Sequence, residues 1–143
     1  MMKEAEVIKN FEGGIDCSQI VFSEFSEQLG VDKETAKKIA ASFGAGMWNG
    51  EVCGAVAGAM MVIGLKYGHT KLGDEKAKGQ TIAKVNQFKE AFEREHGSIV
   101  CREILGYDIP EELDIVMEQR EFFKPEKCPS YVCTAIKILN DIL

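Results

Sequence analysis

Cys17, Cys53, Cys101 and Cys128 each fall where the local sequence reads as the opening turn of a different helix. A helix N-terminus presents unpaired backbone N–H groups and the positive end of the helix dipole, which favour a thiolate over a thiol. The thiolate is both the nucleophile of thiol–disulfide exchange and the ligand of soft metals, so this placement predicts redox or metal chemistry. In Ile15-Asp16-Cys17-Ser18-Gln19-Ile20, Asp16 is the expected cap, Gln19 can reach back to it and Ile15 can staple onto Ile20, which puts Cys17 at the first helical position. Ser98 is the expected cap before Cys101. Pro129, placed at a first helical position, makes Cys128 itself a cap residue, and Asn49-Gly50-Glu51 offers a cap with an acidic first turn ahead of Cys53. Cys133 has no such position; it lies one turn into the last helix beside Val132 and Ile136 and reads as a packing residue.

Spacing narrows the chemistry. No Cys-x-x-Cys pair occurs, so neither a zinc ribbon nor a thioredoxin-type site is encoded locally, and the ferredoxin spacings are missing as well. Any shared site must be assembled by the fold from distant helices. Three readings follow from the residues. Cys17, Cys53, Cys101 and Cys128 could converge as ligands of an iron–sulfur cluster with an electron-transfer role, since four thiolates match the count a cluster needs. One cysteine could instead attack a disulfide or oxidant and another resolve it, with Cys17 and Cys53 the favoured pair. The third reading is a structural or zinc-binding helical interaction module.

The elements that must position these residues are helical. Apolar residues recur at helical spacing in Ile20, Val21, Phe25 and Leu29, in Ala36, Ile39, Ala40 and Phe43, in Ile82, Val85, Phe88 and Phe92, and in Val132, Ile136, Leu139 and Leu143, with no alternating strand competing. Gly30, Gly44, Gly68, Gly97 and Gly106 each follow a periodic stretch as a left-handed C-cap would, and Asp32, Asp74 and Pro110-Glu111-Glu112 open the segments after three such stops. The pattern predicts an all-α single domain over residues 1–143, a bundle of about seven helices. Loops are expected near 68–74 and 106–110, with a Lys124-Pro125-Glu126 connection before the last helix. The most apolar stretch predicts a buried central helix near 51–66, too short for the roughly 20 residues of a bilayer span. Along it Gly54, Ala55, Gly58 and Ala59 leave a smooth strip, read as tight helix packing ahead of ligand contact.

Composition excludes several partners. A net charge of −6 with no basic cluster gives no attraction to nucleic acid or to an anionic membrane. Met1-Met2-Lys3-Glu4-Ala5-Glu6-Val7 carries acidic residues where a secretory signal needs apolar ones, so a cytoplasmic protein is expected, and there free thiols are the default. The glycines at 44, 46 and 50 lack a preceding strand and a following Gly-Lys-Ser/Thr, so no nucleotide is expected; a turn leading into Cys53 accounts for them. Trp48 reads as a core cap and Arg102 as an exposed ion pair. His69 lies in a polar loop and His96 at a helix end that would favour its charged form, neither at ligand spacing.

Cys53-Gly54-Ala55-x-x-Gly58, with the upstream Asp16-Cys17-Ser18-Gln19, the downstream Cys101-Arg102-Glu103-Ile104-Leu105-Gly106 and the final Cys128-Pro129, resembles the C_GCAxxG_C_C family of putative redox-active proteins. The resemblance covers nearly the whole chain in order, and Cys133 lies outside it. It implies a small bacterial or archaeal helical protein whose redox role rests on those four cysteines and which needs a redox partner protein. A related module accompanies haem in split-Soret cytochromes, where iron–sulfur binding is associated with it. This chain lacks the Cys-x-x-Cys-His of haem attachment, so no haem is implied.

Overall fold

The computed structural model describes residues 2–106 and 126–143, and within them the chain forms seven α-helices and one isolated β-bridge. The helices are α1 (Glu4–Glu12), α2 (Cys17–Ser26), α3 (Lys33–Ala40), α4 (Gly54–Tyr67), α5 (Glu75–His96), α6 (Cys101–Leu105) and α7 (Cys128–Ile142). The fold is all-α. Pro110-Glu111-Glu112, the end of the 106–110 loop and Lys124-Pro125 lie outside the described residues.

Most of the start and stop signals act as their chemistry requires. The Asp32 and Asp74 carboxylates accept from the Thr35 and Ala77 N–H groups at 2.9 and 3.1 Å, capping α3 and α5. Gly30, Gly97 and Gly106 stop their segments with φ of 92°, 87° and 85°. Gly44 and Gly68 stop theirs differently, with φ of −64° and −57° in extended backbone, so neither is a left-handed cap. His96 closes α5, yet burial holds its pKa below the ordinary value. Desolvation here outweighs the helix dipole that was expected to favour the charged ring.

One apolar core runs through the bundle. It takes Ile20, Val21 and Phe25 from α2, Val56, Val62 and Ile63 from α4, Phe88 and Phe92 from α5, and Val132, Ile136 and Leu139 from α7. α2 packs chiefly on α4 and α3, while α5 packs on α4 and α7 and α1 on α7. Two residues of the periodic pattern stay outside: Ile39 and Ile82 are each 50% exposed. α3 buries only Ala36 and Ala40, and α5 buries only Phe88 and Phe92 in its second half, so the apolar stripe is narrower than its spacing suggests.

The central helix begins at Gly54, later than expected, and it is buried on one side rather than all round. Its other side, at Ala57, Met60 and Met61, lines an open apolar cleft of about 390 Å³ with Phe43, Met47 and Val52. Among the described residues no helix is long and apolar enough to cross a membrane. A Cβ added at Gly79, on exposed α5, meets nothing within 4 Å. Gly79→Ala is therefore expected to stabilise the fold by about 0.5–1 kcal/mol through the unfolded chain, read as a rise in Tm. An unchanged or lowered Tm would contradict the open surroundings of that position.

Candidate functional site

Each of the four cysteines opens a different helix. Cys17, Cys101 and Cys128 are the first residues of α2, α6 and α7, and Cys53 is the N-cap of α4. At Cys17 the expected cap forms: the Asp16 N–H donates to Gln19 Oε1 at 2.9 Å and completes a capping box. The other three starts differ in register. Cys53 occupies the cap position itself, ahead of which 49–51 form part of a turn. Val100 is the N-cap of α6. Ser98 braces the turn from farther out, its Oγ accepting from the Val100 N–H at 3.0 Å and donating to Glu103 at 2.6 Å. Pro129 follows Cys128 as the second residue of α7, with Lys127 as N-cap. Proline is tolerated there because N–H groups of the first turn have no intrahelical partner.

Small residues bring two of these starts together. A Cβ on Gly54 would stand 2.2 Å from Cys17 Sγ, and one on Gly58 would stand 2.7 Å from the Ser18 carbonyl oxygen. The glycine strip of α4 is therefore the seat of α2, and it lays the Cys17 thiol beside the residue that follows Cys53. Packing is what the strip does; its contacts are with protein.

A different device joins Cys53 to Cys101. Val52 and Val100 form an antiparallel bridge, flanked by Cys53 N–H donating to Ile99 O at 2.7 Å and Cys101 N–H donating to Glu51 O at 2.5 Å. Residues flanking a bridged pair share the face opposite to it, so both cysteines project from one side of this ribbon. Arg102 pins the ribbon by donating to Gly50 O at 3.3 Å and pairing with Glu51 at 3.2 Å. Half-exposed as it is, that pair is worth little by itself. Cys133 carries no such connection; burial and the charge of Glu4 on α1 raise its thiol.

The backbone that precedes the ribbon is strained. Ala45, Gly46, Met47 and Trp48 all have positive φ, at 49°, 64°, 59° and 56°. For L-residues this left-handed region costs about 1–2 kcal/mol per residue, and it persists only where surroundings over-determine it. They do so here. Gly46 is pressed between Glu51 and Cys101, with no room for a Cβ, and Trp48 Nε1–H donates to Ala41 O at 3.3 Å. The Ala45 N–H is thereby turned onto the Cys17 sulfur.

Burial dominates the ionisation of the thiols. Desolvation pushes Cys17, Cys53 and Cys101 up to about 12, and Cys128 higher still. Backbone N–H groups act the other way, Ala45 and Ser18 at Cys17 and Ala55 and Val56 at Cys53, as helix starts should. They do not win. Free thiolates at neutral pH, expected from the helix positions alone, are therefore not what these sites hold.

The same shifts carry a geometric message. Cys53 raises Cys17, Cys101 raises Cys53, Cys17 raises Cys101, and all three raise Cys128, so every pairing among the four is within electrostatic reach. Asp16 adds its negative charge at Cys17 and Cys128. Among the described residues no three Cys, His, Asp or Glu side chains stand close enough to hold one metal ion. The left-handed turn, the bridge and the reach of Asp16 to Cys128 are not legible in the sequence. Gly44-Ala45-Gly46 was the visible trace of the first.

A family model for the putative redox-active protein C_GCAxxG_C_C matches residues 15–142. The chain belongs to this family. Comparison with curated proteins and with solved structures gives no significant match. The C_GCAxxG_C_C label writes its central motif Gly-Cys-Ala, whereas here cysteine comes first, Cys53-Gly54-Ala55. That order gives the cap position to Cys53 and the contact with Cys17 to Gly54.

The raised thiols set a reactivity. In the folded, reduced, metal-free protein at pH 8, iodoacetamide is expected to label Cys17, Cys53 and Cys101 at least about a hundredfold more slowly than in denaturant, where thiols ionise near 8.5. Labelling of the folded form should keep rising above pH 10, after that of the unfolded form has levelled off. Equal rates by mass spectrometry at pH 8 would contradict the burial.

Proposed function

We propose that this C_GCAxxG_C_C protein is a redox protein that holds an iron–sulfur cluster on Cys17, Cys53, Cys101 and Cys128 and passes electrons to a partner protein. The observation that carries this reading is the meeting of the helix starts: Cys17 Sγ lies against Gly54 beside Cys53, the Val52–Val100 bridge puts Cys53 and Cys101 on one face, and Cys128 feels the charge of all three. The donor set fits the group, since clusters are held by four cysteine thiolates. Single-ion zinc fits less well, since a zinc site gathers its donors tightly about one ion and no three donors among the described residues form such a group. Ligands spread over several irons stand wider.

Bound there, a cluster would accept and release one electron at a time. The chain's own contribution is electrostatic. Metal binding deprotonates thiols that burial otherwise keeps neutral, so uptake releases protons and weakens as pH falls. The N–H groups of Ala45 and Ser18 at Cys17, and of Ala55 and Val56 at Cys53, then face sulfurs that carry negative charge, and hydrogen bonds to ligand sulfurs tune a cluster's potential. The surrounding apolar side chains limit water and oxygen access to three of the four cysteines, while Cys128 is only partly buried.

A second reading has one observation of its own. Cys17 Sγ lies against Gly54, next to Cys53, as a thiol–disulfide pair would need. Burial argues against it, because attack requires a thiolate that both residues disfavour. Anaerobic reconstitution with iron and sulfide separates the two. The cluster reading expects a brown protein retaining iron and sulfide after desalting. A colourless, iron-free product that forms a Cys17–Cys53 disulfide under mild peroxide would replace it with the second.

A further inference from the structure

Tyr131 ties together two of the cysteine-bearing helices. Its buried hydroxyl donates to the Ile104 carbonyl at 2.8 Å. Ile104 follows Cys101 by three residues on α6, and Tyr131 follows Cys128 by three on α7, so each partner lies one turn below a cysteine on the same side of its helix. The Ile104 carbonyl belongs to the last turn of a five-residue helix, where carbonyls lack intrahelical donors. A helix that short does not hold itself. The Val52–Val100 bridge and Arg102 fix the start of α6, and Tyr131 holds its end.

The phenol is itself fixed in direction. Its ring, 5% exposed, meets the His96 ring edge-on at 4.7 Å between centroids and the Phe92 ring at 6.3 Å. His96 is anchored in turn, with Nε2 2.8 Å from Thr134 Oγ1 on α7. We propose that Tyr131 is a positioning residue that sets the reach between Cys101 and Cys128, through the hydrogen bond that joins their helices. Its consequence for a cluster rests on the four-cysteine reading above; its geometry does not.

Tyr131→Phe keeps the ring and removes the hydroxyl that donates to the Ile104 carbonyl, and the test uses two readouts. Reduced, metal-free protein is treated with a short bifunctional thiol cross-linker near pH 10 for long enough that the slow buried thiols of the native chain react, then digested and read by mass spectrometry. The Cys101–Cys128 product is expected to fall about fivefold relative to the native chain, the scale of one lost hydrogen bond, while the Cys17–Cys53 product on α2 and α4 and the helical circular dichroism stay unchanged. Equal Cys101–Cys128 yields from the two chains would overturn the proposal. The second readout is iron release to a chelator after anaerobic reconstitution, expected to be faster in Tyr131→Phe with a shifted absorption envelope; identical release and spectrum would count against the positioning role. A native chain that takes up no cluster defeats the four-cysteine reading alone, and the cross-link ratio still decides the role of Tyr131. Should Tyr131→Phe fail to fold, His96→Gln, which removes the ring that holds the phenol, is expected to lower the Cys101–Cys128 yield selectively. An unchanged yield there would overturn the proposal as well.

Discussion

Gly58→Ala is expected to destabilise the protein, although alanine is the better helix former. At an open helical site the exchange gains up to about 1 kcal/mol. At Gly58 the new Cβ would lie 2.7 Å from the Ser18 carbonyl oxygen and 3.1 Å from the Val21 Cβ. The first of these is backbone of the facing helix, so the contact is relieved only by moving α2. Overpacking of this kind costs about 1–3 kcal/mol, and about 2–4 °C of Tm accompanies each kcal/mol in a chain of this size. Gly64 lies on the same helix with nothing within 4 Å of its would-be Cβ. Gly64→Ala should therefore raise Tm as Gly58→Ala lowers it. Two shifts of the same sign would refute the seating of α2 on the glycine strip. Because α2 begins with Cys17, the Gly58 variant should also retain less iron after reconstitution.

That strip shows how far the sequence could be read. Its four-residue repeat of small side chains announced a close approach, and the approach is real. Helix starts were legible for the same reason: the Asp16, Asp32 and Asp74 caps depend on neighbours within three residues. What the spacing could not supply was anything made between distant segments. The bridge of Val52 to Val100, and so the shared face of Cys53 and Cys101, joins segments 48 residues apart in the chain. Tyr131 and Ile104 meet across 27. The left-handed turn at 45–48 is hidden in the sequence because three of its four residues are not glycine, while the contacts around it, Glu51 and Cys101 against Gly46 and Ala41 to Trp48, come from outside the turn. The ionisation of the thiols departs from what the helix starts predict for a related reason. A helix start is visible in the sequence, whereas the burial that outweighs it belongs to the assembled core.

The largest effect is expected at the cysteines themselves. Serine at 17, 53, 101 or 128 should each cut retained cluster iron at least about tenfold, since losing a ligand should cost no less than losing a partner that merely orients one, itself worth about 10–100-fold. Cys133→Ser should retain iron as the native chain does, because Glu4, and none of the four cysteines, acts on the Cys133 thiol. Comparing metal-free and reconstituted forms separates ligation from folding. Serine is nearly the size of cysteine, so in the metal-free form each variant should lose no more than about 1–3 kcal/mol, the cost of burying a hydroxyl. Reconstitution should then raise the Tm of the native chain and of Cys133→Ser, and leave the four others unmoved. If any one of the four kept its full iron content and its thermal gain, it would not be a ligand.

The most direct test is iron X-ray absorption on anaerobically reconstituted Cys133→Ser, whose only thiols are Cys17, Cys53, Cys101 and Cys128. The expected spectrum has iron surrounded by sulfur alone, with a second shell of iron scatterers and sulfide present in proportion to iron. Iron bound singly through oxygen or nitrogen, or no iron retained at all, would contradict a cluster held by these four cysteines.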